Sequence, residues 1–352
     1  MDPIVIKALI SLVPVIGCLV VFERFDAFKL VSLTDTLVLL AGGAILATAS
    51  YYANGGVMDQ FPIGVTNYSR YIAPLVEETM KAALIVGLFA FNRIGYLIDA
   101  AIAGFAIGSG FALAENAYFL HQFTGANIGV WVVRGFGTAI MHGGATAIFS
   151  TLSMVLYAPR LRISADRFRF NVLLFLPGLA AAVLIHAAFN HFQSHAVEAM
   201  AIVTVAVPLT LLAVFTVGET YGHRWLAEDR AAHTRLLEDM RSGAFATSEH
   251  GKALQALAAR LSEARARDLI DYVRNNVELV VKADSTLLAL EEHERVTLDG
   301  ALRAQLHGLR DLERRLGRTT VMAVRQHLSF SRDDLWKLHE LEKDASRWSL
   351  KT

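Results

Sequence analysis

The chain has little charge and almost no sulfur chemistry. Its 352 residues include one cysteine, Cys18, so a disulfide framework and a cysteine-based zinc site are both excluded. The zinc-protease spacing His-Glu-x-x-His is absent as well. Lys+Arg and Asp+Glu are equal at 33 each, and zero net charge argues against a nucleic-acid partner. Charged residues make up only 19% and hydrophobic residues 54%, too apolar for an ordinary soluble domain of this length. The first apolar stretch, Ile4–Val21, contains Lys7 and lacks a small-residue cleavage site, which reads as a retained span rather than a signal peptide.

What the chain does have is a series of apolar runs near the bilayer-crossing length of about 20 residues. They fall at roughly 4–22, 36–54, 71–91, 95–119, 128–157, 170–193 and 197–217. The second is the weakest, because Gly42-Gly43 and Gly55-Gly56 interrupt or end it. The fifth is long and contains Arg134, which with Asp99 reads as interfacial or structural. Arg160, Arg162, Arg167 and Arg169 form the densest basic loop and are expected in the cytoplasm, together with Arg24, Lys29 and Arg93. The segments 121–127 and 195–198 carry no Lys or Arg and are expected outside. The expected class is thus all-α: a polytopic transmembrane helical bundle of about seven spans over 1–218, with the N-terminus out. A cytoplasmic helical domain is expected over 219–352. In that tail Leu302, Leu306, Leu309, Leu312 and Leu316, and also Leu254, Leu257, Ala258 and Leu261, follow helical spacing. Ser331-x-x-Asp334 reads as a helix start, and the heptad-like leucines leave a homo-oligomer or a protein partner open.

The unusual stretch lies in the third run. Glu77, Glu78 and Lys81 sit inside an apolar segment, where each ionisable group costs roughly 2.5–3.5 kcal/mol at mid-bilayer. Mutual neutralisation of Glu77 and Lys81, four apart on one face, accounts for one glutamate and leaves the other. Other runs supply polar groups at a similar depth in the outer half: Glu115-Asn116 in the fourth, and His186 with Asn190 one turn apart in the sixth. His142, in the fifth, is expected deeper. A buried acid–base site follows from this convergence.

These motifs resemble the PrsW family of intramembrane proteases, relatives of the CAAX prenyl endopeptidase and bacteriocin-processing membrane proteins. The matching pieces are Glu77-Glu78-x-x-Lys81, Phe111-x-x-x-Glu115-Asn116, His142 followed by small residues, and His186-x-x-x-Asn190, across roughly 60–195. The resemblance implies cleavage of a membrane-anchored protein substrate, on its extracytoplasmic side, in a bacterial-type plasma membrane. An anti-sigma factor is the best-known kind of target. It also implies roles: Glu77 as general base with Glu78 close behind, and Glu115 sharing the water or a proton. His142 would position the water or protonate the leaving amine, His186 and Asn190 would stabilise the oxyanion, and Lys81 would offset charge. Phe111 and Asn116 would support. A metal-free mechanism is preferred. The alternative is a zinc site drawn from Glu78, Glu115, His142 and His186. A proton- or ion-coupled transporter is the rival from another class, and a non-catalytic membrane scaffold a third.

Overall fold

The computed structural model describes residues 2–25, 31–61, 63–163, 168–291, 300–328 and 331–348. Lys29 and Arg167, expected in cytoplasmic loops, lie outside them. Among the described residues the chain is all-α, without a strand. It divides into two compact units: one of Met1–Tyr157 and Phe170–Gly218, the other of Ala158–Arg169 and Glu219–Thr352. The second unit thus includes the basic connection as well as the tail.

In the first unit the helices are α1 (Pro3–Phe25), α2 (Leu33–Gln60), α3 (Ala73–Ala90) and α4 (Leu97–Gln122). They are followed by α5 (Ile128–Leu161, with one π-helical turn at Val133–Thr138), α6 (Leu176–His191) and α7 (Ala196–Ser242). Five helical stretches among the described residues have the length and hydropathy of a bilayer crossing: Pro3–Arg24, Leu33–Gln60, Leu97–Gln122, Ile128–Leu161 and Val172–Ser242. The last holds both α6 and α7, separated by the tight turn Phe192–His195. Helix α3 has 18 residues but carries the three charges Glu77, Glu78 and Lys81. The chain is an integral membrane protein.

Helix α4 is the central post. Ile98 through Ala112 are all buried, whereas α1, α2 and α7 present Val13, Val38, Ile45, Ile202 and Leu209 outward, as lipid-facing helices do. Helix α2 is not interrupted at Gly42-Gly43 or ended at Gly55-Gly56; it runs through both. The reason is contact rather than flexibility. A Cβ on Gly43 would stand 2.0 Å from the Ile107 carbonyl oxygen, so only glycine lets α2 lie against the α4 backbone. Gly108 does the same for α4 against α5, where a Cβ would meet the His142 carbonyl at 2.2 Å. Ser32 starts α2 with a reciprocal cap: Asp35 N–H donates to Ser32 Oγ (3.1 Å) and Ser32 N–H to Asp35 Oδ2 (3.0 Å).

The second unit contains the end of α7, then α8 (Glu249–Ala258), α9 (Glu263–Glu291), α10 (Gly300–Leu316), α11 (Arg318–Leu328) and α12 (Arg332–Trp348). The five leucines of α10 form its buried stripe and meet Leu269, Tyr272, Val273, Val277 and Val280 of α9. The run through Leu261 is shorter than its spacing suggests, since α8 stops at Ala258 and Leu261 lies in the turn beyond. At the start of α12, Ser331 and Asp334 cap each other, with Asp334 N–H donating to Ser331 Oγ at 3.1 Å and Ser331 N–H to Asp334 Oδ2 at 2.9 Å.

Candidate active site

Helix α3 divides its three charges between two directions. Lys81 pairs not with Glu77 but with Glu78, Nζ donating to Oε1 at 2.6 Å, and both side chains are sealed from solvent. Glu77 is left facing a cavity of about 830 Å³. The neutralisation expected from the Glu77–Lys81 spacing therefore falls on the other glutamate. The i,i+3 step brings the ammonium inward, where the face of Phe111 (4.6 Å) also receives it.

Helix α6 delivers His186 to the same inner carboxylate. Its Nδ1 donates to Glu78 Oε1 at 2.8 Å, and its Nε2 turns toward Glu77 Oε2, 4.0 Å away. Helix α5 delivers His142. Lys81 Nζ donates to His142 Nδ1 at 3.1 Å, and His142 Nε2 donates to Glu115 Oε2 of α4 at 3.2 Å. The two imidazole rings meet edge to face at 4.7 Å between centroids. His142 is thus level with the other groups rather than deeper, because the glycine contacts at 104 and 108 seat α5 directly on α4.

Two residues join the site beyond those expected: Asn54, which the sequence does not single out, and Arg134, which it marks only as interfacial or structural. Asn54, on α2, donates from Nδ2 to Glu77 Oε1 at 3.2 Å and is oriented by Tyr68, whose hydroxyl donates to Asn54 Oδ1 at 2.9 Å. Arg134, expected to be merely interfacial, lines the cavity from the π-helical turn of α5, a distortion common at functional sites. Its Nη2 is 3.3 Å from Glu115 Oε2. Asn116 is fully buried and serves this arginine, accepting from its Nε at 2.8 Å while its own Nδ2 donates to the Ser11 carbonyl at 2.9 Å. Asn190 lines the cavity too, with Nδ2 donating to the Ser69 carbonyl at 2.8 Å.

The cavity is mostly apolar around these groups, walled by Phe119, Trp131, Val133, Phe189 and Phe192. Such a lining, with a few convergent polar groups, suits an extended or partly unwound apolar segment. Ser69, Asn127 and Gln193 also border it. It is therefore reached from the ends of the helices that carry no Lys or Arg in their connections at 121–127 and 195–198.

The set of groups able to hold a cation differs from the expected one. Glu77, His142 and His186 each offer a ligand atom within 4.8 Å of the others. Glu78 stands one step behind, bonded to His186 Nδ1, the usual place of a carboxylate that orients a metal-ligating histidine. Two imidazoles and a carboxylate are a fitting donor set for zinc. One feature opposes it: both His142 ring nitrogens are already engaged, Nδ1 by the Lys81 ammonium and Nε2 by Glu115.

The chain matches the family model described as PrsW family intramembrane metalloprotease over residues 33–217, from the start of α2 to the last residue but one of the first unit. No curated protein and no solved structure matches it. The matched segment exceeds half of the chain and contains every polar group that converges on the cavity. The chain therefore belongs to the PrsW family of intramembrane proteases.

Proposed function

We propose that the chain hydrolyses a peptide bond of a membrane-anchored protein at the cavity wall formed by Glu77, His142 and His186. The convergence of these three side chains on an apolar cavity is the observation that carries the reading. Glu77 is the general base. Its Oε2 and His186 Nε2 are both acceptors, 4.0 Å apart, so a water between them gives one proton to each and keeps a lone pair for attack. The water oxygen bonds to the scissile carbonyl carbon while its proton moves to Glu77. The carbonyl π pair moves to oxygen; the C–N bond then breaks as that pair returns, and the proton passes from Glu77 to the leaving amine. Glu78 and Lys81 hold the two histidines in their tautomers, and Glu115 accepts from His142 on the cavity side.

A second reading rests on the same three ligand atoms within 4.8 Å. Glu77, His142 and His186 would hold a zinc ion, which when bound acts as a Lewis acid on the scissile carbonyl. It requires Lys81 to release His142 Nδ1. Metal analysis of the purified protein, with cleavage measured before and after chelation, separates the readings. Stoichiometric zinc with chelator-sensitive cleavage supports the second.

The bundle crosses a bacterial-type plasma membrane seven times, with the cavity toward the outside and residues 219–352 in the cytoplasm. This orientation keeps the four arginines of 160–169 inside. A single-span regulator of the anti-sigma type is a substrate of the right shape. Co-expression with candidate single-span proteins, comparing wild type with Glu77→Gln by fragment mass, tests the assignment. Fragments that appear equally with both proteins overturn it. Loss of ion flux without any change in fragments would return the protein to the transporter class.

A further inference from the structure

Peptide hydrolysis needs a donor for the negative charge that develops on the carbonyl oxygen, and the two donors that the family resemblance implies are wholly or partly committed to other groups. The His186 ring proton faces Glu78, and Asn190, which lines the cavity, gives one of its two amide protons to the Ser69 carbonyl. We infer that Arg134 is a further catalytic residue, its guanidinium binding the scissile carbonyl oxygen and the tetrahedral oxyanion formed from it. This rests on the protease reading above.

Four observations carry it. Arg134 is the one Lys or Arg among the described residues that line the cavity. Its side chain is only 14% exposed, so its charge acts where water screens little. The guanidinium plane is preset from two sides: Asn116 Oδ1 accepts from Nε at 2.8 Å, and the Phe119 ring lies 3.8 Å from Cζ. Its outer edge still has capacity. Nη2 lies 3.3 Å from Glu115 Oε2 but without hydrogen-bond geometry, and it has no other acceptor. A fork that is held rigidly at its base and undercommitted at its tip is preorganised for an oxygen that arrives with the substrate.

The bland account is that Arg134 only neutralises Glu115. The two accounts differ in transition-state affinity. Full-length protein carrying Arg134→Gln or Arg134→Lys is assayed for kcat and KM on an apolar membrane-anchored peptide. Binding of a phosphinate peptide, a stable tetrahedral anion, is then measured in the Glu77→Gln background, where no turnover occurs. We expect Arg134→Gln to lower kcat by roughly 100- to 1000-fold with little change in KM, and to weaken phosphinate binding by a similar factor. The same loss should persist on top of Glu115→Gln. Unchanged kcat, unchanged phosphinate affinity, or an effect that vanishes in the Glu115→Gln background would each overturn the assignment. If Arg134→Gln does not fold, Arg134→Lys decides: it keeps the charge but loses the fork, and undiminished phosphinate binding rejects the role. Wild-type cleavage that is insensitive to Glu77→Gln would instead sink the underlying protease chemistry, a separate outcome.

Discussion

Among the described residues two lysines are completely enclosed, Lys81 in the first unit and Lys337 in the second. Their surroundings read alike. Lys81 sits between Glu78 (2.6 Å) and His142 (3.1 Å), with His186 on the far side of Glu78. Lys337 sits among Asp229 (2.6 Å), Asp284 (2.9 Å) and Asp333 (2.9 Å), with His233 donating to Asp284 at 2.9 Å. The difference is access. In the first cluster Glu77, Glu115, His142 and His186 border a large cavity. In the second the carboxylates close on the ammonium, and two grooves of that unit are built from other residues, such as Arg314 and Arg325 or Asp271 and Arg315. Buried charge marks a place where folding accepted a desolvation cost, and chemistry requires in addition that a substrate reach it. Lys337 occupies the centre that a cation would take between its aspartates, so the second cluster reads as a clamp joining α7, α9 and α12.

The sharpest way to break this comparison is to remove one acid from the first cluster. Glu77→Gln keeps size and leaves Lys81–Glu78 intact, so the protein should fold with an unchanged melting temperature while cleavage falls by roughly 100- to 10,000-fold. Removing the cation from the second cluster should do the reverse. Lys337→Met strands the buried carboxylates Asp284 and Asp333 and should cost about 3–5 kcal/mol of stability in the helical unit, read by denaturant unfolding. Cleavage per folded molecule should be unaltered. A Lys337→Met protein that is stable but unable to cut its substrate would show that the second cluster, too, serves the reaction.

A smaller effect sharpens the first half of the comparison. Asn54→Ala removes the amide that donates to Glu77 and leaves Tyr68 without its acceptor side chain. A hydrogen bond to a charged group contributes roughly 1.5–3 kcal/mol, so kcat should drop by about 10- to 100-fold. Tyr68→Phe, one bond further from Glu77, should drop it by less. If both variants cleave like wild type, Glu77 is held by something other than α2.

How much of this was visible in the sequence depended on how local each cause was. The apolar runs are set by consecutive residues, and their helices are present. Ser331-x-x-Asp334 closes within one turn, and its cap forms as the spacing implies. Glu77, Glu78 and Lys81 stood out because charge in an apolar run is conspicuous anywhere. Glycine at 42–43 was misleading: its local meaning is a weak helix, whereas its cause is a neighbouring backbone 64 positions on, at Ile107. The place of Arg134 and Asn54 in the site was not read, for a related reason. An arginine near a helix end and an asparagine before two glycines have ordinary local explanations, and only the partners Asn116 and Glu77 give them a role. Lys337 was not singled out in the sequence. Its aspartates lie up to 108 residues away from it along the chain, a grouping that no local pattern announces.

The mildest test uses pH, and it bears only on the second cluster. Burial pushes the Asp333 carboxyl from its ordinary 3.8 up to about 7, despite the opposing pull of Lys337. Its folded value lies above its unfolded one, so ionising it costs stability, and the cost accumulates as pH rises from about 4 to about 7. Burial works against the His233 charge, but the hydrogen bond to Asp284 and the charge of Asp334 outweigh it and raise its pKa. Stability from His233 is therefore complete below its unfolded value of 6.5 and fades as pH climbs through the higher folded one. Lys337 is raised as well and stays charged throughout, so it adds no slope in this range. Both slopes have the same sign: the clamp should be firmer near pH 6 than near pH 8. Asp333→Asn imitates the protonated form and removes one slope, so the variant should gain on wild type as pH rises. The difference in unfolding free energy between the two proteins, followed across that interval, isolates the contribution of this carboxyl from every other titrating group. A difference that stays flat, or that favours wild type at the alkaline end, would mean that Asp333 is ionised at little cost and that Lys337 neutralises its ring of acids more fully than its geometry implies.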